Sequence, residues 1–300
     1  MSRITRLSFS AALAAALALP AFAADVTIQT AQGPVTLPQE PRTVAVFDIA
    51  AIDTLTALGV QPAGVPDNLY VTYLPEQLRD AAVIGTLFEP NLEALAGLAP
   101  DLIIVGGRSA GQAESLSRIA PVIDMTITGD ELAQEALARL EAYGTLFARE
   151  EAADELARNF NDRLEEIRGL AADEGRALVV MTNGPKISAY GRGSRFGWMH
   201  AELGLAEAVD VDQEATHGEA ISFEFVREAN PDWLIVVDRA AAIGEAESAR
   251  ETLNNALVAE TTAWKQGNVV YPNPVNLYIA GGGYNSMMGT MQELLDAFSN

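Results

Sequence analysis

The stretch Asn91–Arg108, NLEALAGLAPDLIIVGGR, aligns without a gap on Ser222–Arg239, SFEFVREANPDWLIVVDR, at a constant offset of 131 residues. Six positions are identical: Glu93/Glu224, Pro100/Pro231, Asp101/Asp232, Ile104/Ile235, Val105/Val236 and Arg108/Arg239. Pro-Asp ahead of an apolar run is ordinary punctuation between a helix and a strand. A Glu and an Arg at matching distances on either side of it are not. A chain carrying the same helix–strand unit in each half is constrained to two similar lobes.

The rest of the pattern fits that reading. Val26–Leu37 reads as a hairpin around Gln32-Gly33-Pro34, and Thr43–Phe47 as a buried strand ended by Asp48. A helix follows at Ala50–Leu58, a strand near Pro62–Val65, a helix near Asn91–Leu98 and a strand at Leu102–Val105. The second half restarts with strands at Ala177–Met181 and Leu234–Val237. Alternation of this kind gives α/β architecture with largely parallel sheets. Between the halves, Leu146–Ala172 carries apolar residues on helical spacing, with no Gly or Pro before Gly169. The expected fold is therefore two similar α/β lobes with mainly parallel sheets, 24–145 and 173–300, joined by one long helix over 146–172, with a ligand cleft between the lobes. Each arginine of the repeat follows the carboxyl end of a strand, where open α/β sheets bind their ligands, so Arg108 and Arg239 should face that cleft.

Residues 1–23 place Arg3 and Arg6 before an apolar run that ends in Pro20-Ala21-Phe22-Ala23. This is the pattern of a cleaved export signal, and it predicts a periplasmic product starting near Ala24. The sequence has no cysteine. It therefore offers neither a disulfide framework nor a lipid-carrying residue at the cleavage point. A net charge of -22 with only 19 basic residues argues against nucleic acid and anionic lipid as partners, and makes any cluster of arginines informative.

Three segments carry candidate chemistry. His217, in THGEAISFEF, precedes a helix that Ser222 can cap; its local context leaves it open between a loop residue and a ligand. The other histidine, His200, falls inside an amphipathic stretch and reads as structural. No close pair of histidines supports a zinc site. Tyr278 sits before the triplet Gly281-Gly282-Gly283, which is not a dinucleotide fingerprint and would let the chain turn or a ligand approach the backbone. Arg192 and Arg195, in the glycine-rich AYGRGSRFGW, would join Arg108 and Arg239 in a positive pocket for an anion with planar oxygen donors.

With these residues in view, the chain resembles the periplasmic siderophore-binding proteins of iron-uptake ABC transporters, especially those for ferric catecholates. The resemblance is carried by HGEAISFEF at 217–225, NPDWLIVVDR at 230–239, ETLNNALVAETTAWKQGNVVYPNP at 251–274, GSRFG at 193–197 and EPNLEALAGLAPDLIIVGGR at 89–108. It implies a monomeric binding protein, not an enzyme, with no intrinsic cofactor, which hands a ferric, tetradentate catecholate-type siderophore to an inner-membrane permease. It further implies that Arg108, Arg195 and Arg239 hold the anionic chelate. His217 and Tyr278 would complete the iron shell, and Glu93 and Glu224 would dock on the two halves of the permease. The bland reading of the glutamates is charge pairing with a helix N-terminus. Where many relatives carry an aromatic-rich YWYL before the glycines, this chain has Val275-Asn276-Leu277-Tyr278, so a Trp is missing while the Tyr remains. Haem or a corrinoid is the rival ligand within this architecture. An exported hydrolase is the remote rival, since no nucleophile elbow or two-histidine metal motif is present.

Overall fold

The computed structural model describes residues 24–74, 76–129, 131–211, 215–246 and 249–299. The expected export signal at 1–23 lies outside the described residues. No helix among the described residues is long and apolar enough to cross a membrane.

An antiparallel hairpin, Asp25–Thr30 with Gly33–Pro38, opens the chain. The N-terminal sheet that follows has five strands, all parallel, in the order Ala82–Val83, Gly64–Val65, Val44–Val46, Leu102–Val105, Val122–Asp124. In the C-terminal sheet Arg176–Asn183, Trp233–Asp238 and Val269–Val270 repeat the parallel order of Val44–Val46, Leu102–Val105 and Val122–Asp124. Its other side differs, because Lys186–Tyr190 and Glu219–Ile221 add antiparallel strands where the first lobe has two parallel ones.

The repeat seen in the sequence is a repeat of bonds. Asn91 and Ser222 cap the helices Leu92–Leu98 and Phe223–Ala229, each accepting amide bonds from its own first turn. Both helices end in a left-handed residue at the equivalent place, Ala99 at φ 49° and Asn230 at φ 40°. The aspartate of each Pro-Asp pair then ties the helix exit to the neighbouring strand. Asp101 Oδ2 accepts from the amides of Arg42 and Thr43 at 2.9 and 3.0 Å, and Asp232 Oδ2 from the amide of Arg176 at 2.8 Å. Each bond pins the start of a neighbouring strand, so Pro-Asp here does more than punctuate.

The long helix runs from Glu150 to Ala171 and buries Ala153, Phe160, Leu164, Ile167 and Ala171 along one face. It begins four residues later than the spacing predicts, because Leu146 closes a separate helix, Leu132–Leu146. Ala148 turns left-handed at φ 51°, and Gly144 lies so close to Ala153 that any Cβ on it would meet the alanine methyl at 2.6 Å. The apolar spacing continued through this corner and hid it. The helix Tyr284–Phe298 packs on the long helix and also on Ile49–Ala57 of the first lobe.

Two helices that meet the other half of the molecule lack a side-chain cap of their own and receive one from a distance. Glu202 accepts from the amides of Ala133 and Gln134 at 2.8 and 3.1 Å. Asp53 does the same for Asn285 and Ser286 at 3.0 and 2.8 Å.

Candidate functional site

Between the carboxyl ends of the two sheets lies a cleft of about 350 Å³. Arg108, Arg195, His217 and Tyr278 all line it, as do Asp48 and the segment Ile127–Gly129. Arg108 follows the strand Leu102–Val105 by three residues, and Arg239 directly follows the strand Trp233–Asp238. Arg195 comes from the turn Gly191–Gly197, which is tight enough that a Cβ on Gly197 would meet the Arg192 carbonyl oxygen at 2.0 Å.

The three arginines converge on one residue. Arg239 Nε donates to the Tyr278 hydroxyl at 3.1 Å. Arg108 donates to the Tyr278 carbonyl at 2.5 Å and to that of Ile279 at 3.3 Å, and Arg195 donates to the Tyr278 carbonyl at 3.0 Å. Their guanidinium carbons lie 5.7, 5.4 and 4.5 Å from the centre of the Tyr278 ring, for Arg239, Arg108 and Arg195 respectively. Arg195 also lies 5.0 Å from the centre of the Phe196 ring, so its guanidinium is within cation–π range of two aromatic rings.

The electrostatics follow from this crowding. Partial burial pushes the Tyr278 phenol up, but the Arg239 hydrogen bond and the charges of Arg239, Arg195 and Arg108 outweigh it and hold the phenol below the ordinary tyrosine value. Arg195 is itself lowered, first by burial and then by the Arg108 charge beside it. Behind Arg108, burial raises the Asp48 carboxyl against the lowering effect of the Ala51 amide and of Arg108. Gly106 is what lets the strand end pass that carboxyl, since a Cβ there would fall 2.4 Å from the Asp48 carboxyl carbon.

His217 stands exposed at the cleft rim in the turn closed by the 2.8 Å bond from the Gly218 amide to the Ala215 carbonyl. Gly218, at φ 82°, passes so close to the Tyr190 ring that a Cβ would meet it at 2.6 Å. The Arg195 amide bonds the Thr216 carbonyl at 3.1 Å, which ties the His217 turn to the Arg195 turn. Among the described residues no three His, Cys, Asp or Glu side chains gather into a metal cluster. A cation here would need donors of another kind, such as a phenolate, an imidazole or the ligand's own oxygens.

Some expectations change. Arg192 does not join the pocket; it is exposed, and its Nε pairs with Glu207 at 2.9 Å. Tyr278 is not in a loop but ends the short helix Pro274–Tyr278, which Asn273 caps. Of the glycine triplet only Gly281 lines the cleft. Gly282 and Gly283 are there for close packing, against Ile127 and Asp53 respectively. Asn276 is buried away from the cleft, and Leu277 faces it instead. His200 is buried as expected, its Nδ1 2.9 Å from the Leu205 carbonyl. Glu93 and Glu224 are exposed in the first turns of their helices, away from the cleft-lining residues. Asp48 and Ile127–Gly129 went unassigned in the sequence, because a lone acid at a strand end and an irregular segment carry no signature of a cleft.

The sequence profile of the periplasmic binding protein family matches residues 44–275. The petrobactin-binding protein YclQ of Bacillus subtilis is 35% identical over 265 residues, covering 87% of this chain and 83% of YclQ. The ferric-anguibactin-binding protein FatB of Vibrio anguillarum is 28% identical over 92% of this chain and 88% of its own. The crystal structure of the periplasmic catecholate-siderophore binding protein VctP of Vibrio cholerae superposes with a TM-score of 0.85 at 30% identity, over 91% of this chain and all of VctP.

Proposed function

This chain belongs to the periplasmic binding protein family, and we propose that within it the protein captures a ferric siderophore, of tetradentate catecholate type, and delivers it to an ABC permease. The observation that carries this is the convergence of three guanidinium groups on Tyr278, in a protein whose net charge is -22. Concentrated positive charge on an acidic surface selects an anion, and planar forks suit the paired oxygens of a catecholate. The names of YclQ, FatB and VctP point the same way. They support a siderophore over haem or a corrinoid.

In this reading a tetradentate chelate leaves two iron positions open. Tyr278, its phenol already eased toward ionisation, supplies a hard oxygen donor suited to Fe(III), and His217, lining the same cleft, supplies an imidazole nitrogen. Arg108, Arg195 and Arg239 balance the charge of the chelate. Members of this family are binding proteins of transport systems, and the role proposed for this chain is likewise binding, not catalysis. Glu93 and Glu224, one per lobe on equivalent helices, would meet basic patches on the two permease halves. In this reading residues 1–23 act as an export signal and the protein works in the periplasm as a monomer.

A fluorescence titration with a panel of preformed iron(III) complexes tests this, with Trp198, Trp233 and Trp264 as reporters. Saturable quenching by ferric tetradentate catecholates is the expected outcome. Binding of haem or a corrinoid in preference to every ferric chelate would reject it.

A further inference from the structure

The last helix, Tyr284–Phe298, starts at Gly283, which has no side chain to cap it. Its first amides donate instead to the other lobe: Tyr284 to Thr54 Oγ1 at 3.2 Å, Asn285 to Asp53 Oδ1 at 3.0 Å and Ser286 to Asp53 Oδ2 at 2.8 Å. Asp53 is 0% exposed and also accepts from Asn285 Nδ2 at 2.6 Å and the Tyr73 hydroxyl at 2.9 Å. None of these donors is cationic. Burial raises the Asp53 carboxyl against the lowering effect of its bonds from Ser286, Tyr73 and Asn285, and burying a carboxyl without a cation is costly, so the position calls for a reason beyond capping. The contact is also close by construction, since a Cβ on Gly283 would fall 2.5 Å from Asp53 Oδ2.

The reason lies one step along the chain. Ser286, held by Asp53, donates its hydroxyl to the carbonyls of Ala280 at 2.6 Å and Gly283 at 2.8 Å. These bonds hold the turn Ala280–Gly283, which starts two residues after Tyr278. Ile279 and Ala280 are buried in the apolar core of the first lobe, whereas Leu277 belongs to the core beneath the second. Tyr278 is therefore the residue at which the chain crosses between lobes, its hydroxyl bonded to Arg239 and its carbonyl to Arg108.

We infer that Asp53 and Ser286 are positioning residues for Tyr278, so that a carboxylate of the first lobe sets where the phenol of the second stands in the cleft. This rests on the reading of Tyr278 as a group that meets the ligand. A helix cap alone would stabilise the helix without fixing the phenol. The path Asp53–Ser286–Ala280 fixes both, and gives a cleft built across two lobes one register for its donor.

The test uses Asp53→Asn, which keeps shape but replaces one carboxyl oxygen with an amide donor, and Ser286→Ala, which cuts the same path at its next bond. Thr54→Ala is the control, since it removes a bond to the same helix end without touching the path. The first readout needs no ligand: the ionisation midpoint of the Tyr278 phenol, isolated as the difference spectrum between each protein and its Tyr278→Phe counterpart. Asp53→Asn and Ser286→Ala should move this midpoint up, as the phenol leaves Arg239, and Thr54→Ala should not. The second readout is affinity for the iron(III) complex of a synthetic linear bis-catecholate. Asp53→Asn should weaken it several-fold in the parent and have no further effect on Tyr278→Phe. A midpoint unmoved in folded Asp53→Asn and Ser286→Ala, or moved equally by Thr54→Ala, overturns the inference. If Tyr278→Phe binds the chelate like the parent, the ligand reading fails by itself, and the midpoint alone decides whether Asp53 positions the phenol.

Discussion

Arg239 Nε stands 3.1 Å from the Tyr278 hydroxyl, so a side chain that directly follows one sheet strand holds the polar tip of the tyrosine whose carbonyl is held by Arg108 from the other lobe. A charge-assisted bond from either guanidinium to a partly buried anion is worth about 1.5 to 3 kcal/mol. Arg239→Ala or Arg108→Ala should therefore weaken binding of an anionic ferric chelate about tenfold to a hundredfold. Lysine should recover only part of the loss, because it keeps the charge and loses the fork. Isothermal titration with an anionic and a neutral analogue checks this; an equal loss for both would argue that the arginines act through structure and not charge.

The lowered phenol of Tyr278 fixes the sign of a pH dependence. A metal that takes the phenolate must displace its proton while the group is still protonated. Affinity for a preformed tetradentate complex should then rise with pH, by up to about tenfold per unit, and level off once the phenol ionises. The same depressed value gives the folded protein stability that is fully present above the unfolded tyrosine value and is lost as pH falls through the folded one. Tyr278→Phe should remove its share of both slopes. Titrations of parent and variant across pH with one chelate provide the comparison, and parallel curves would remove Tyr278 from the proton balance.

Gly283 is at φ -74°, a conformation any residue adopts, so only the closeness of Asp53 demands glycine there. Gly283→Ala should destabilise the fold by about 1 to 3 kcal/mol, the usual cost of forcing atoms into a packed interior. Gly97→Ala makes a matched control, as nothing lies within 4 Å of its added carbon. Thermal melts of the two variants should differ clearly; similar melting points would mean the lobes part easily at this contact.

Glu93 and Glu224 are exposed, and the Glu224 carboxyl is held below its usual range by its own amide and by the Ser222 hydroxyl. Replacing both with Ala should leave siderophore affinity unchanged and reduce uptake in cells, the double variant more than either single one. Normal uptake by a double variant that folds and binds would leave these residues as helix-terminus charges and nothing more.

The offset repeat made the two lobes, the placing of both glutamates and the strand-end arginines legible, because each depends on short-range pattern: a cap, a helix turn, a Pro-Asp and an apolar strand. The break at Ala148 was not legible, since Ala has no preference for the left-handed region and the apolar spacing ran on across it. Nor was the difference between Arg192 and Arg195, three residues apart in one turn. Arg192 is bonded to Glu207, fifteen residues further on, while Arg195 donates to Tyr278, and neither partner is visible from the turn itself. The bonds of Asp53 were invisible for the same reason at longer range, because its partners at 285 and 286 are joined to it only by the folded arrangement of two lobes.

The central claim is that Tyr278 and His217 close an iron shell that the siderophore leaves open. The most direct measurement compares the parent with the double variant His217→Ala, Tyr278→Phe, using iron(III) complexes of a tetradentate and a hexadentate catecholate and reading the charge-transfer band together with Kd. The account predicts that the parent shifts the band of the tetradentate complex and the double variant does not. It predicts an affinity loss for that complex of at least about a hundredfold, against little change for the hexadentate one, whose iron is already saturated. The same band and the same Kd for the tetradentate complex in both proteins would contradict it.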